Sequence, residues 1–328
     1  QLTERTDSPL GAAFWDNIRT AWPQDAVRLE ALSDRSRIRN AANSGLTPAL
    51  LWATVLGALL VSVLGVWFAE RTLVRLTPGK LPAGRLRRSM LAVATVLAHV
   101  LIVGLASQAA HWVLNRQNPL PAEALTPDNL GHASVQFSMF AAFVVGLGRA
   151  LLSNHRESWR LLPLTDATAS RLRPLPWLTA LVATLVWAMQ RIGNAIEASL
   201  AADIMAHAIA ALALTGLVVV LLQRVRGPRT AAPLSVGLPT DTAADAPVDT
   251  PADPQAHRPP WLAPALGFGW LLVFSVWGLL ATGYVALANF VAFQIVWTGI
   301  ISATFYLLFQ FTDDLCLTLL NARSNFGK

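Results

Sequence analysis

Between Trp261 and Thr312 the chain carries no charged side chain, a run of 52 residues. As one helix this run would be about 78 Å long at 1.5 Å per residue, against roughly 30 Å for the hydrocarbon core of a bilayer. It therefore folds back as two spans. The turn is expected between Gly283 and Asn289, near Tyr284.

Five more stretches supply the roughly 20 mostly apolar residues that a crossing needs. Pro48 to Ala69 contains no charge, and Met90 to Trp112 tolerates His99, Gln108 and His111. His132 to Leu152 carries Arg149 within a turn of its end. Trp177 to Ile196 holds Gln190, Arg191 and Asn194 in its last two turns, and Ile204 to Gln223 completes the set. The fold class that follows is all-α, a polytopic membrane bundle of about seven transmembrane helices. Composition agrees: 54% of residues are hydrophobic and 13% charged, where a soluble domain carries about a quarter charged. High net positive charge often signals nucleic-acid binding. Here the arginines stand in short loops beside apolar stretches, so the membrane accounts for them and no nucleic-acid partner is expected.

Orientation follows from the distribution of Lys and Arg. With the N-terminus outside, 17 of the 25 fall on inner segments and 8 on outer ones. The inner groups are Arg71 to Arg88, Arg149 to Arg173, Arg224 to Arg258, and Arg323 with Lys328. Six of the outer eight lie in the N-terminal segment, where six acids match them. An N-out, C-in arrangement is expected, on a bilayer whose lipids are the principal partner.

The segments between spans divide the chain into 1–46, a polar, outward-facing amphipathic helical segment; 47–223, a five-helix membrane bundle; 224–260, a flexible inner linker rich in Pro, Ala, Thr and Asp; 261–312, a transmembrane hairpin; and 313–328, an inner tail. In the first segment Phe14, Trp15, Ile18 and Trp22 recur at helical spacing. Pro23 favours a break and a fresh start, with Val27, Leu29, Leu32 and Ile38 as a weaker apolar set. The helix either packs on the protein's own outer surface or lies in the outer leaflet, where Trp is at home. In the inner loop, Thr165 or Asp166 is placed to cap a short helix leading into the fourth span. Gln1 in place of Met implies a processed or trimmed chain, and a cleaved signal peptide fits an outward N-terminus.

The sequence offers little reactive chemistry. It contains no Walker-type loop, no paired-histidine metal motif and no nucleophile elbow. Neither an enzymatic reaction, a cofactor nor a metal is expected. His99, His111 and His207 lie in or near spans and share no short motif, so hydrogen bonding across helices or an interfacial position is the ordinary reading over metal or proton relay. Arg191, near the outer end of its span, can snorkel to the headgroups. Glu197 and Asp203 are its expected ion-pair partners, while Gln190 and Asn194 are placed for interhelical hydrogen bonds. Asp313 and Asp314 mark the inner end of the last span. Cys316 is the only cysteine, so no internal disulfide forms. No span carries the sustained glycine–alanine stripe by which identical pore helices pack closely, so this chain is not expected to line a pore by itself.

Two stretches resemble a known family. They are Ser8-Pro9-Leu10-Gly11-Ala12-Ala13-Phe14-Trp15, and Ser158-Trp159-Arg160-Leu161-Leu162-Pro163-Leu164-Thr165-Asp166-Ala167. Both are similar to the N-terminal region of large bacterial channels of the small-conductance mechanosensitive family, the type with a domain of unknown function ahead of the channel domain. The resemblance implies a homo-oligomer, heptameric in that family, in the bacterial inner membrane with a periplasmic N-terminus. It would open under bilayer tension and relieve hypo-osmotic stress. The glycine–alanine pore helix and β-rich cytoplasmic domain of that family do not occur in this sequence, so no conducting residue is assigned. Trp159, Arg160, Pro163, Asp166 and Arg191 are carried forward as structural or lipid-contact residues. The competing readings are a small-solute transporter, which would need a polar midplane site at a broken helix, and a membrane scaffold subunit.

Overall fold

The computed structural model describes residues 5–33, 48–80, 85–117, 127–152, 166–226 and 262–320. The described residues are helical apart from the N-terminal strand of chain and the tight turns. In chain order the helices are α1 (Ala12–Ser33), α2 (Pro48–Lys80), α3 (Arg85–Gln117), α4 (Pro127–Leu152), α5 (Asp166–Leu172), α6 (Leu175–Ala195), α7 (Leu200–Arg226), α8 (Leu262–Ala281) and α9 (Val285–Leu320). Seven of them are long and apolar enough to cross a membrane: α2, α3, α4, α6 (with α5 in its approach), α7, α8 and α9. The protein is a multi-pass, all-α membrane protein.

Hydrocarbon offers the backbone no hydrogen-bond partners, so each span must satisfy its own, which a helix does. The hydroxyls inside the spans follow the same rule. Thr54, Ser62, Thr95, Thr184, Ser275 and Thr304 each donate to the carbonyl four residues back, at 2.7–3.0 Å. Polar side chains thus enter the bilayer without a neighbour's help.

Packing runs from helix to helix and then closes. Helix α2 lies on α3, α3 on α4, α4 on α6 and α6 on α7, while α9 crosses between α7 and α3 and α8 fills the outside of α7 and α9. One core joins Ala208, Ala211 and Leu214 of α7 to Val276 and Leu280 of α8 and to Val285, Ala288 and Ala292 of α9. A second joins Ala92 and Val96 of α3 to Leu147, Ala150 and Leu151 of α4 and Leu307 of α9. Alanine supplies four of the eight buried residues in the first core and two of the six in the second, and such small residues let helices approach closely where lipid gives no hydrophobic drive to association.

Several sequence expectations need correction. Helix α1 runs unbroken through Pro23. The donor that proline removes would have bonded the carbonyl of Arg19, an exposed residue whose carbonyl water can serve. The turn of the last hairpin is Thr282 to Tyr284, and Asn289 stands buried inside α9. Helix α2 continues past Ala69 to Lys80, and α9 past Thr312 to Leu320, so Asp313 and Asp314 lie within a helix. Asp314 is buried and accepts a 3.3 Å bond from Gln310 Nε2 one turn away. The short helix foreseen before the fourth span is α5. Trp159, Arg160, Pro163 and Thr165 lie outside the described residues, as does most of the 224–260 linker. Asp166 opens α5, its side chain outside the description.

Candidate functional site

The N-terminal segment binds the bundle at two turns on one end, those after α6 and α8. Helix α6 ends at Ala195, and the Ala198 and Glu197 amides return to the Gly193 and Asn194 carbonyls at 3.0 and 3.4 Å. Helix α8 ends in the same way, with Tyr284 N bonding Leu279 O at 2.9 Å and Gly283 N bonding Leu280 O at 3.2 Å. Both are Schellman closures, which place one residue in the left-handed region. At the second turn that residue is Gly283, with φ +90°; at the first it is Glu197, with φ 48°.

The chain ahead of α1 fastens onto the second turn. Thr6 N and Thr6 Oγ1 both donate to Gly283 O, at 3.0 and 2.9 Å. Arg5 Nε donates to Thr282 O and Ser8 Oγ to Ala281 O. A Cβ at position 283 would sit 2.2 Å from Thr6 O, so glycine is required there by contact as well as by conformation.

Helix α1 fastens onto the first turn. Its docked face reads Phe14, Ile18, Ala21 and Asp25, with Phe14 and Asp25 fully buried. Asp25 accepts from Ser199 N at 3.0 Å and from Ser199 Oγ. Ser199 in turn caps α7 by accepting from Ala202 N at 3.3 Å. Arg28 donates to the Glu197 carbonyl. Asp25 is a buried acid that the spacing of apolar residues could not announce. Trp15 and Trp22 remain largely exposed, and Trp15 Nε1 donates to Pro9 O. Of the two sequence readings for α1, packing on the protein's own surface describes what these contacts do.

A second polar cluster lies at the other end of the bundle. Glu70 of α2 accepts from Arg149 Nη1 of α4, and His99 Nε2 of α3 stands 3.4 Å from the same Glu70 oxygen. His99 is 3% exposed, and its Nδ1 lies 2.8 Å from Thr95 O. A carbonyl only accepts, so Nδ1 carries the hydrogen and Nε2 is left to face the carboxylate. Gly146 makes room for the imidazole: a Cβ there would come within 3.1 Å of His99 Cβ. The Glu70–Arg149 pair ties α2 to α4, and His99 of α3 lies beside it with Nε2 buried and without a hydrogen-bond partner among the described residues. Sequence reasoning noticed Arg149 and His99 separately and missed Glu70 by ending the first span at Ala69. The available signal was that Glu70 is the only acid between Pro48 and Pro121.

Arg191 is placed differently from expectation. It lies over the ring of Trp187, 5.6 Å from the centroid, and has no ion pair among the described residues. Asp203 approaches His207 at 3.5 Å, and Glu197 has its carbonyl turned to Arg28. An exposed cation–π contact is worth about 0.5–1 kcal/mol, comparable to the surface ion pair it replaces. Gln190 and Asn194 make no cross-helix side-chain bond among the described residues. No group of three or more metal-ligating side chains occurs among them either.

Residues 1–35 match a family described as a protein of unknown function, DUF3772. That match covers the segment that docks on these two turns and none of the spans. No curated protein and no solved structure matches the chain.

Proposed function

We propose that this chain is the N-terminal, lipid-facing and tension-sensing membrane part of a mechanosensitive channel that protects against osmotic stress. The pore helix and cytoplasmic domain are supplied by other sequence, the N-terminus is periplasmic and the C-terminus cytoplasmic, and the assembly is a homo-oligomer in the bacterial inner membrane. No catalytic step enters this reading.

The observation that carries it is the position of α2. No residue of its most apolar stretch is buried, and Trp52, Leu56, Leu60, Leu64 and Phe68 are all exposed. Such a helix meets lipid along most of its circumference and the bundle along one side, where α3 lies. Its inner end is fastened through Glu70 to Arg149 of α4. A change of bilayer thickness tilts a peripheral span at a cost of fractions of a kcal/mol per Å. The Glu70–Arg149 pair would pass that tilt to the inner helices, and several subunits would sum it. The resemblance of Ser8–Trp15 and Ser158–Ala167 to channel N-terminal regions, with the match over residues 1–35, points the same way.

The test is patch recording under suction on liposomes holding either the full gene product or this chain alone. Stepwise current from the longer protein only is expected. Silence from a well-folded longer protein would end the channel reading and bring the transporter forward.

A further inference from the structure

At the inner end of α2 the residues Trp67, Phe68, Arg71, Thr72 and Arg75 line an open groove of about 240 Å³. They occur at positions i, i+1, i+4, i+5 and i+8, which a helix of 3.6 residues per turn gathers on one side. Glu70 falls on another side, where Arg149 engages it. The groove therefore holds two guanidinium groups and no acid. Neither Arg71 nor Arg75 has an ion pair among the described residues. Arg71 lies over the Trp67 ring at 4.9 Å.

Depth narrows the choice of ligand. Trp52 and Trp67 are both exposed, about 22 Å apart along the helix at 1.5 Å per residue. Arg71 and Arg75 lie about 28 and 34 Å from Trp52 by the same rise, which sets them at the far edge of a core roughly 30 Å thick. Two other spans carry the same Trp-x-x-x-Arg spacing, Trp112 with Arg116 and Trp187 with Arg191. Each of those has a single arginine and lies on the opposite face of the bundle. Only α2 joins a second arginine and a hydroxyl residue to the aromatic floor.

We propose that this groove binds the phosphate headgroup of an anionic phospholipid of the inner leaflet. Arg71 and Arg75 fork onto the phosphate oxygens, a geometry that guanidinium matches and ammonium does not. Trp67 and Phe68 pack on the glycerol and upper acyl chain. The proposal rests on the lipid-facing placement of α2 argued above. Its readout is lipid selectivity rather than current, so its failure and that of the channel reading are separable.

The experiment reconstitutes the chain in nanodiscs and measures the immobilised fraction of spin-labelled phosphatidylglycerol against spin-labelled phosphatidylcholine. Wild type should favour phosphatidylglycerol. Arg71→Gln with Arg75→Gln should lower that preference about fivefold per arginine. Arg71→Lys with Arg75→Lys, which keeps the charge and serves if the first variant fails to fold, should retain part of it. Arg116→Gln, on the other face, should leave it unchanged. Equal selectivity in wild type and the double glutamine variant would overturn the proposal, as would an equal loss in Arg116→Gln. Displacement of the labelled lipid by millimolar inorganic phosphate would also overturn it, by showing a site for free phosphate.

Discussion

Glu197 and Gly283 hold the same position in two Schellman turns, and only one of them is the residue that position favours. An L-residue in the left-handed region costs about 1 kcal/mol or more, whereas glycine enters it freely. Glu197→Gly should therefore stabilise the protein by roughly 1 kcal/mol, since what the turn gives to Arg28 is a backbone carbonyl that survives the change. Gly283→Ala should destabilise it by about 1–3 kcal/mol, because the methyl group meets both the strained φ and the Thr6 carbonyl. Thermal unfolding in detergent compares the two, and shifts of the same sign would contradict this account. Digestion within residues 5–33 should rise for Gly283→Ala alone. Gly283 was legible as part of a turn near Tyr284. Glu197 as a left-handed residue was not, because glutamate carries no preference for that conformation, and Asp25 was not, because a buried acid between exposed arginines looks like any solvated charge.

The helices themselves were the most readable part of the chain. Lipid is a nearly uniform apolar solvent, so a span is written locally as about 20 apolar residues and needs no knowledge of its neighbours. Where a helix stops is a different matter. Helices α2 and α9 run on past their apolar runs because the next residues find partners: Glu70 reaches Arg149, and Asp314 is buried beside Gln310. Hydropathy sees a charge and ends the span, while the fold sees a contact between helices and continues it. The Glu70–Arg149 pair should behave as such a contact. Glu70→Gln and Arg149→Gln should each lower stability by on the order of 1–3 kcal/mol, since each leaves a half-buried charge without its partner. The double variant should lose less than the sum of the two. A double-mutant cycle read from unfolding in detergent gives the coupling directly. Strict additivity would mean that the two side chains only lie near each other and that α2 is held to the bundle by α3 alone.

Seven crossings put the two ends of the molecule on opposite sides, and the contacts of the N-terminal segment agree with that parity. Arg5 to Ser8 and α1 bind the turns at 196–199 and 281–284, both of which the seven-span count assigns to the N-terminal face. The opposite face carries Arg71, Arg75, Arg149, Arg171, Arg173, Arg224 and Arg226, and the proposed orientation, drawn from the positive-inside rule, puts that face in the cytoplasm. The single cysteine gives a direct test. Cys316 is exposed near the end of α9. It lies about 46 Å along the helix from Val285, well beyond a core of roughly 30 Å, so a water-borne reagent can reach it. A membrane-impermeant maleimide should label Cys316 in inverted vesicles and spare it in right-side-out ones. Gln24→Cys in a Cys316→Ser background places the probe on the exposed side of α1 and should give the reverse pattern. Both patterns inverted would keep seven spans and turn the protein over, with the basic face outside. Labelling of both positions from one side would require an even number of crossings. The docking of α1 on the turns at 196–199 and 281–284 would then survive, since its hydrogen bonds do not depend on orientation, but the uncharged hairpin from Trp261 to Thr312 could no longer cross twice.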